Sequence, residues 1–208
     1  MMAGEIFVWP AEKRLPDDFL ASVKEAMLAG SVAVYPTSTL YGLGASIYSK
    51  RGLGVLNDIK RRPPDMPISI MATVEQIGSL CKIPEIARPF IESADCRITA
   101  ILPALGSAPR TLVHGGTLAA RLPCSNLTAS LVECVGPVTA TSANIHGMPT
   151  PIDITGAMAQ FGDRVFIYID SGTLAGKPTA LVDYTAETPK IIREGGLSGE
   201  EMVRMHER

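Results

Sequence analysis

Leu20, Val23, Met27 and Leu28 recur at helical spacing, and with Pro16 in front and Gly30 behind they predict a helix over Asp17–Leu28. A short continuous apolar run follows, Val32-Ala33-Val34-Tyr35 closed by Pro36, which reads as a buried strand. The pattern repeats with a helix over residues 51–59, a strand over 68–71 and a helix opened by the capping-box arrangement Thr73-Val74-Glu75-Gln76. Further on, segments 97–102, 117–122, 138–141, 165–169, 180–182 and 190–193 read as extended. Only 125–135 and 152–161 read as helical among them, and the Glu- and Arg-rich tail 198–208 as a short peripheral helix. The predicted class is α/β, with a twisted mixed sheet of parallel and antiparallel strands and helices packed around it. Prolines and glycines are scattered and form no linker, and there is no internal repeat, so residues 1–208 read as one domain.

Composition narrows the function classes. A chain of 208 residues, 46% hydrophobic, can bury a substantial core. Its 19 basic and 21 acidic residues leave a net charge of −2, which lacks the electrostatic footprint of a strong nucleic-acid binder. No apolar run reaches the roughly 18 residues of a membrane span, and Met1-Met2-Ala3-Gly4-Glu5 does not open a secretory signal. A cytoplasmic protein without membrane partners is expected. Cys81, Cys96, Cys124 and Cys134 are widely separated, and His114, His146 and His206 are dispersed, so neither set forms a metal site. The chain has no Gly-x-x-x-x-Gly-Lys-Ser/Thr phosphate loop, no Gly-x-Ser-x-Gly elbow and no His-Glu-x-x-His pair.

Three segments nevertheless combine small residues, hydroxyls and cations at the ends of elements. Pro36-Thr37-Ser38-Thr39-Leu40-Tyr41-Gly42-Leu43-Gly44 follows a strand and reads as a strand-to-helix connection whose donors can approach a ligand closely. Lys60-Arg61-Arg62 closes a helix before Pro63-Pro64, where cations also suit the helix dipole. There, a lysine and an arginine two apart can meet adjacent phosphate oxygens. Val138-Thr139-Ala140-Thr141-Ser142-Ala143-Asn144 is a strand running into hydroxyl and amide groups, which can equally satisfy one another. Arg121 and Arg193 alternate with apolar neighbours and point either into a cleft or into water.

In this order, and over nearly the whole chain, these segments resemble the YrdC-like family of threonylcarbamoyl-AMP synthases. The resemblance rests on Pro36 to Gly44, Lys60 with Arg62, Ser142 with Asn144, an Arg-x-Pro at Arg121 and an Arg-Glu-Gly at Arg193. It implies a concave basic cavity in which L-threonine, bicarbonate and ATP, with Mg2+ beside the phosphates, become threonylcarbamoyl-AMP and pyrophosphate. It also implies that separate proteins transfer the threonylcarbamoyl group to tRNA, and it leaves room for weak contact with tRNA or double-stranded RNA. The implied nucleotide site is Lys60, Arg62, Met66, Thr117, Ser142, Asn144, Thr150 and Arg193, with Lys60 and Arg62 on the triphosphate. The implied threonine site is Thr39, Met71, Arg121, Ala140 and Thr179.

The chain departs from the family pattern at Ser38, Met66, Met71, His146 and Ala180, and Asp95-Cys96-Arg97 replaces the usual Pro-Gly-Pro. Segment 172–179 is similar to YciO-type paralogues, a subgroup without the clean Ser-x-Asn pair present here. The alternatives are a YciO-like paralogue or an RNA-binding module that uses the same cavity with little synthase activity. A carbamoyltransferase-type enzyme is a further one, but such chains carry additional domains.

Overall fold

The computed structural model describes residues 4–63, 66–93, 96–198 and 200–201. The sheets are built from β1 (Glu5–Val8), β2 (Ala33–Pro36), β3 (Tyr41–Gly44), β4 (Ile70–Met71), β5 (Ile98–Pro103), β6 (Thr117–Arg121), β7 (Val138–Thr139), β8 (Thr141–Ser142), β9 (Ile167–Asp170), β10 (Ala180–Asp183) and β11 (Lys190–Arg193). The helices are α1 (Asp17–Leu28), α2 (Lys50–Lys60), α3 (Val74–Leu80), α4 (Arg88–Ser93), α5 (Asn126–Val135) and α6 (Ile154–Phe161). The expected mixture of parallel and antiparallel pairing is present, but it is divided between two sheets, ordered β1-β9-β2-β3-β8 and β11-β10-β5-β6-β4-β7.

The division occurs where a single strand was expected over 138–141. Val138 and Thr139 pair with β4 in the second sheet, whereas Thr141 and Ser142 pair with β3 in the first. Ala140 between them exchanges backbone hydrogen bonds with neither strand and instead donates its N–H to the Ser69 carbonyl at 2.8 Å, while the Ser69 hydroxyl donates back to the Ala140 carbonyl at 2.8 Å. One run of chain therefore stitches the two sheets together. A cavity opens beside this stitch.

Two apolar clusters hold the sheets in place. In one, Leu20, Val23 and Met27 of α1 and Leu131, Val132 and Val135 of α5 pack on Tyr35, Met71, Val138 and Ile169. The other fills the opposite faces with residues of α2, α3, α6 and the central strands, including Leu56, Ile77, Ile98, Leu118 and Phe161. Burial of this kind stabilises by about 25 cal/mol per Å2 of apolar surface.

β3 was expected to be a connection, because two glycines and no polar alternation erase the strand signal. The glycines have a packing reason: a Cβ on Gly44 would stand 2.5 Å from Cε1 of Tyr35, whose ring lies across the β2–β3 hairpin. The capping box is present, with Gln76 N–H donating to Thr73 Oγ1 and Thr73 N–H to Gln76 Oε1. α6 starts two residues later than expected because Asp153 caps it, accepting from Gly156 N–H at 2.8 Å. β1 and α4 were not anticipated. Of the expected C-terminal helix, residues 202–208 lie outside the described residues, as do Pro64, Asp95 and the opening Met1-Met2-Ala3.

Candidate active site

The cavity has a volume of about 600 Å3. Its floor is the face of the second sheet where side chains alternate inward: Thr99 and Ile101 of β5, Thr117, Ala119 and Arg121 of β6, and Leu181 of β10. The walls are the Thr37–Leu40 turn, Met66 to Ser69 before β4, Ala140 to Ser142 at the stitch, and Pro178, Thr179, Ile192 and Arg193. Among the described residues the lining holds three arginines and no aspartate, glutamate or cysteine. Such a cavity favours an anion and offers no carboxylate or thiol nucleophile.

Arg121 is the deepest of these cations, 7% exposed at the end of β6. Its Nη2 makes only long contacts, donating to Ser38 Oγ at 3.4 Å and to the Cys96 carbonyl at 3.3 Å, and its buried Nε has no partner. Burial lowers its proton affinity from the ordinary arginine value. A buried guanidinium without a carboxylate is costly unless a ligand completes its hydrogen bonds. Beside it, Thr99 and Thr179 share a hydroxyl hydrogen bond of 2.7 Å. Thr39 is held by the turn in which Thr37 Oγ1 donates to the Leu40 carbonyl at 2.6 Å, and the Thr39 carbonyl accepts from Gly176 N–H at 2.9 Å.

Arg62 and Arg193 stand at the more open end. Arg62 donates from Nη2 to the Pro67 carbonyl and lies 3.5 Å from Thr141 Oγ1, with its Nε buried and unpartnered. Arg193 anchors on the Thr179 carbonyl at 2.9 Å. Ser142 Oγ donates to Asn144 Oδ1 at 2.5 Å.

Of the thirteen residues the sequence put forward, Thr39, Arg62, Met66, Thr117, Arg121, Ala140, Ser142, Thr150, Thr179 and Arg193 line this cavity, and Lys60, Met71 and Asn144 do not. Lys60 and Arg62 were expected to act side by side on a triphosphate. α2 ends at Lys60 and the chain turns through the left-handed conformation at Arg61, with φ of 51°, so the two side chains leave in different directions. Met71 points into the cluster beneath α1 and α5, away from the cavity. Asn144 turns its amide to the Ile145 and Met148 carbonyls, at 2.9 and 2.7 Å. Ser69, Thr99 and His114 line the cavity without having been singled out. For Thr99, the alternation with buried Ile98 and Ala100 along a strand was the available signal.

The family model Sua5_yciO_yrdC, described as telomere recombination, matches residues 25–195. The chain belongs to this family. Among its members, the Pyrococcus abyssi threonylcarbamoyl-AMP synthase is 33% identical over 185 residues, which cover 85% of this chain and 54% of that protein. The solved structure of P. abyssi Sua5 complexed with L-threonine superposes with a TM-score of 0.88 at 30% identity, over 96% of this chain and 60% of that one. This chain thus spans little more than half the length of the P. abyssi family members. Escherichia coli YciO is 28% identical over 177 residues, 82% of this chain and 86% of its own. All of the cavity-lining residues, from Thr37 to Arg193, fall within the Sua5/YciO/YrdC match.

Proposed function

We propose that this family member is a threonylcarbamoyl-AMP synthase, condensing L-threonine, bicarbonate and ATP and releasing pyrophosphate. The observation that carries the reading is Arg121: a buried, incompletely bonded guanidinium opening into a cavity lined, among the described residues, with cations and no acid. A threonine carboxylate supplies the two oxygens that an arginine fork lacks here. The hydroxyls of Thr39 and Thr179, in the lining of the same cavity, are partners for the amino acid's polar groups. Arg62, Arg193 and Ser142, at the wider end, take the phosphates.

In the reaction, the threonine nitrogen bonds to carbon dioxide from bicarbonate and loses a proton. A carbamate oxygen then forms a bond to the α-phosphorus of ATP while the bond from that phosphorus to the β-phosphate oxygen breaks. Neither step needs a nucleophile from the protein, in keeping with a lining whose polar side chains, among the described residues, are hydroxyls, arginines and the imidazoles of His114 and His146. The cavity's contribution is alignment of two anions and neutralisation of charge at the leaving pyrophosphate. Magnesium sites in proteins draw on carboxylates. Among the described residues the lining has none, so those residues do not fit a protein-held magnesium ion, and any such ion would enter on the phosphates themselves. The product would pass in the cytoplasm to separate proteins that modify tRNA.

The test is incubation with ATP, bicarbonate and threonine, with each omitted in turn. Pyrophosphate release only in the complete mixture is expected. Release that ignores threonine, or none at all, refutes the assignment and leaves the YciO-like or RNA-binding alternatives.

A further inference from the structure

Lys60 is 2% exposed and lies behind the cavity wall, where its Nζ donates to the Ser142 carbonyl at 2.5 Å and to the Asn144 carbonyl at 2.7 Å. Its own backbone carbonyl accepts from His146 N–H at 2.8 Å. One residue at the end of α2 therefore grips three points of the segment 142–146. Thr141 and Ser142 are tied to β3 on one side, and Asn144 folds its amide over Ile145 and Met148 on the other. The strand ends at Ser142, whose Oγ also bonds Asn144 Oδ1, so the direction of that hydroxyl depends on how the 142–144 backbone is held. The Lys60 clamp, together with the Ala143 N–H bond to the Tyr41 carbonyl at 2.8 Å, supplies that restraint.

We propose that Lys60 is a positioning residue: it acts on the phosphate-binding end through the Ser142–Asn144 backbone it clamps, without itself touching the ligand. This deepens the synthase reading and rests on it for the identity of the nucleotide. Arg62, two residues on, differs in kind because it lines the cavity and has a free Nε. Burial, with the charge of Arg62 as a smaller contribution, pulls the Lys60 amine down to about 7. An amine in either charge state can donate to both carbonyls, so the clamp persists across neutral pH.

The experiment is a double-mutant cycle on ATP affinity, measured by calorimetry, with threonine-dependent pyrophosphate release by the wild-type protein run in parallel. Lys60→Met keeps the length of the side chain and removes the donors. It is expected to weaken ATP binding by about 30-fold, the effect of losing hydrogen bonds from a charged group. Combined with Ser142→Ala it should cause no further loss, because the clamp acts through the hydroxyl that Ser142→Ala has already removed, whereas its effect should multiply with that of Arg62→Ala. Alkylating Lys60→Cys with bromoethylamine in denaturant, followed by refolding, rebuilds a lysine-like amine and should restore ATP affinity; wild type treated identically is the control. This rescue also applies if Lys60→Met does not fold. Multiplicative loss with Ser142→Ala, absence of coupling between the two, or no rescue by the rebuilt amine overturns the positioning role. Wild-type protein that binds ATP but shows no threonine-dependent release would instead refute the synthase reading and leave the cycle intact.

Discussion

Two cations are buried beside the same cavity, and they differ in whether their hydrogen bonds are made. Lys60 has two short bonds to carbonyls and does not line the cavity, while Arg121 has two long contacts, an orphaned Nε and an open side. Desolvation penalises both. In Lys60 the protein itself offsets that cost, and the side chain works as scaffold. In Arg121 the cost is left standing in the free protein, which is how a site stores affinity for a ligand of the opposite charge. Burial and charge alone would have classed the two together; the state of their hydrogen bonds separates them.

The contrast breaks most visibly at Arg121. Arg121→Ala should weaken threonine binding by about 3 kcal/mol, roughly 100-fold in KM for threonine, since it removes one partner of a desolvated charge pair. ATP affinity should change little, and an equal loss for both substrates would show that Arg121 does not discriminate the two ends. Arg62→Ala should produce the converse pattern, about 2 kcal/mol in ATP affinity with threonine affinity kept. A smaller effect separates the scaffold lysine from the ligand-seeking arginine. Because the folded Lys60 amine titrates near 7 and an ordinary lysine near 10.5, the unfolded chain holds more protons between those values. Wild-type stability should therefore rise with pH through that window relative to Lys60→Met, by about 1 kcal/mol from pH 7 to 8 in urea unfolding. A flat difference would mean that the amine keeps its proton inside the fold. Thr99→Val preserves shape but removes the bond to Thr179 Oγ1, and should raise KM for threonine about threefold with kcat unchanged. No change would indicate that Thr179 is oriented without it.

Periodicity located most of the elements because their burial is regular. α1 occupies the expected Asp17–Leu28, and β11 the expected Lys190–Arg193. What periodicity could not register was a change of partner: 138–141 reads as one strand, and only its neighbours reveal that the chain leaves one sheet for another at Ala140. β3 escaped for a related reason, since its glycines answer to the Tyr35 ring rather than to a strand pattern. The candidate site was legible as a set of residue types and orders, and ten of those residues do meet around one cavity. Direction was not legible. Spacing put Lys60 and Arg62 together, yet a left-handed Arg61 between them sends one behind the wall and the other into the opening. Met71 likewise fell on the packed face of a two-residue strand, where nothing in its neighbours' polarity marked which way it points.

The central claim is that one cavity joins an amino acid held by Arg121 to a nucleotide held by Arg62 and Ser142. The measurement that reaches it most directly is mass spectrometry of the product formed from ATP, threonine and carbon-13 bicarbonate. An adenylate that contains threonine and a single carbon-13, and that disappears with Arg121→Ala at limiting threonine, is the predicted result. An adenylate without the label, or none while ATP still binds, would contradict the account.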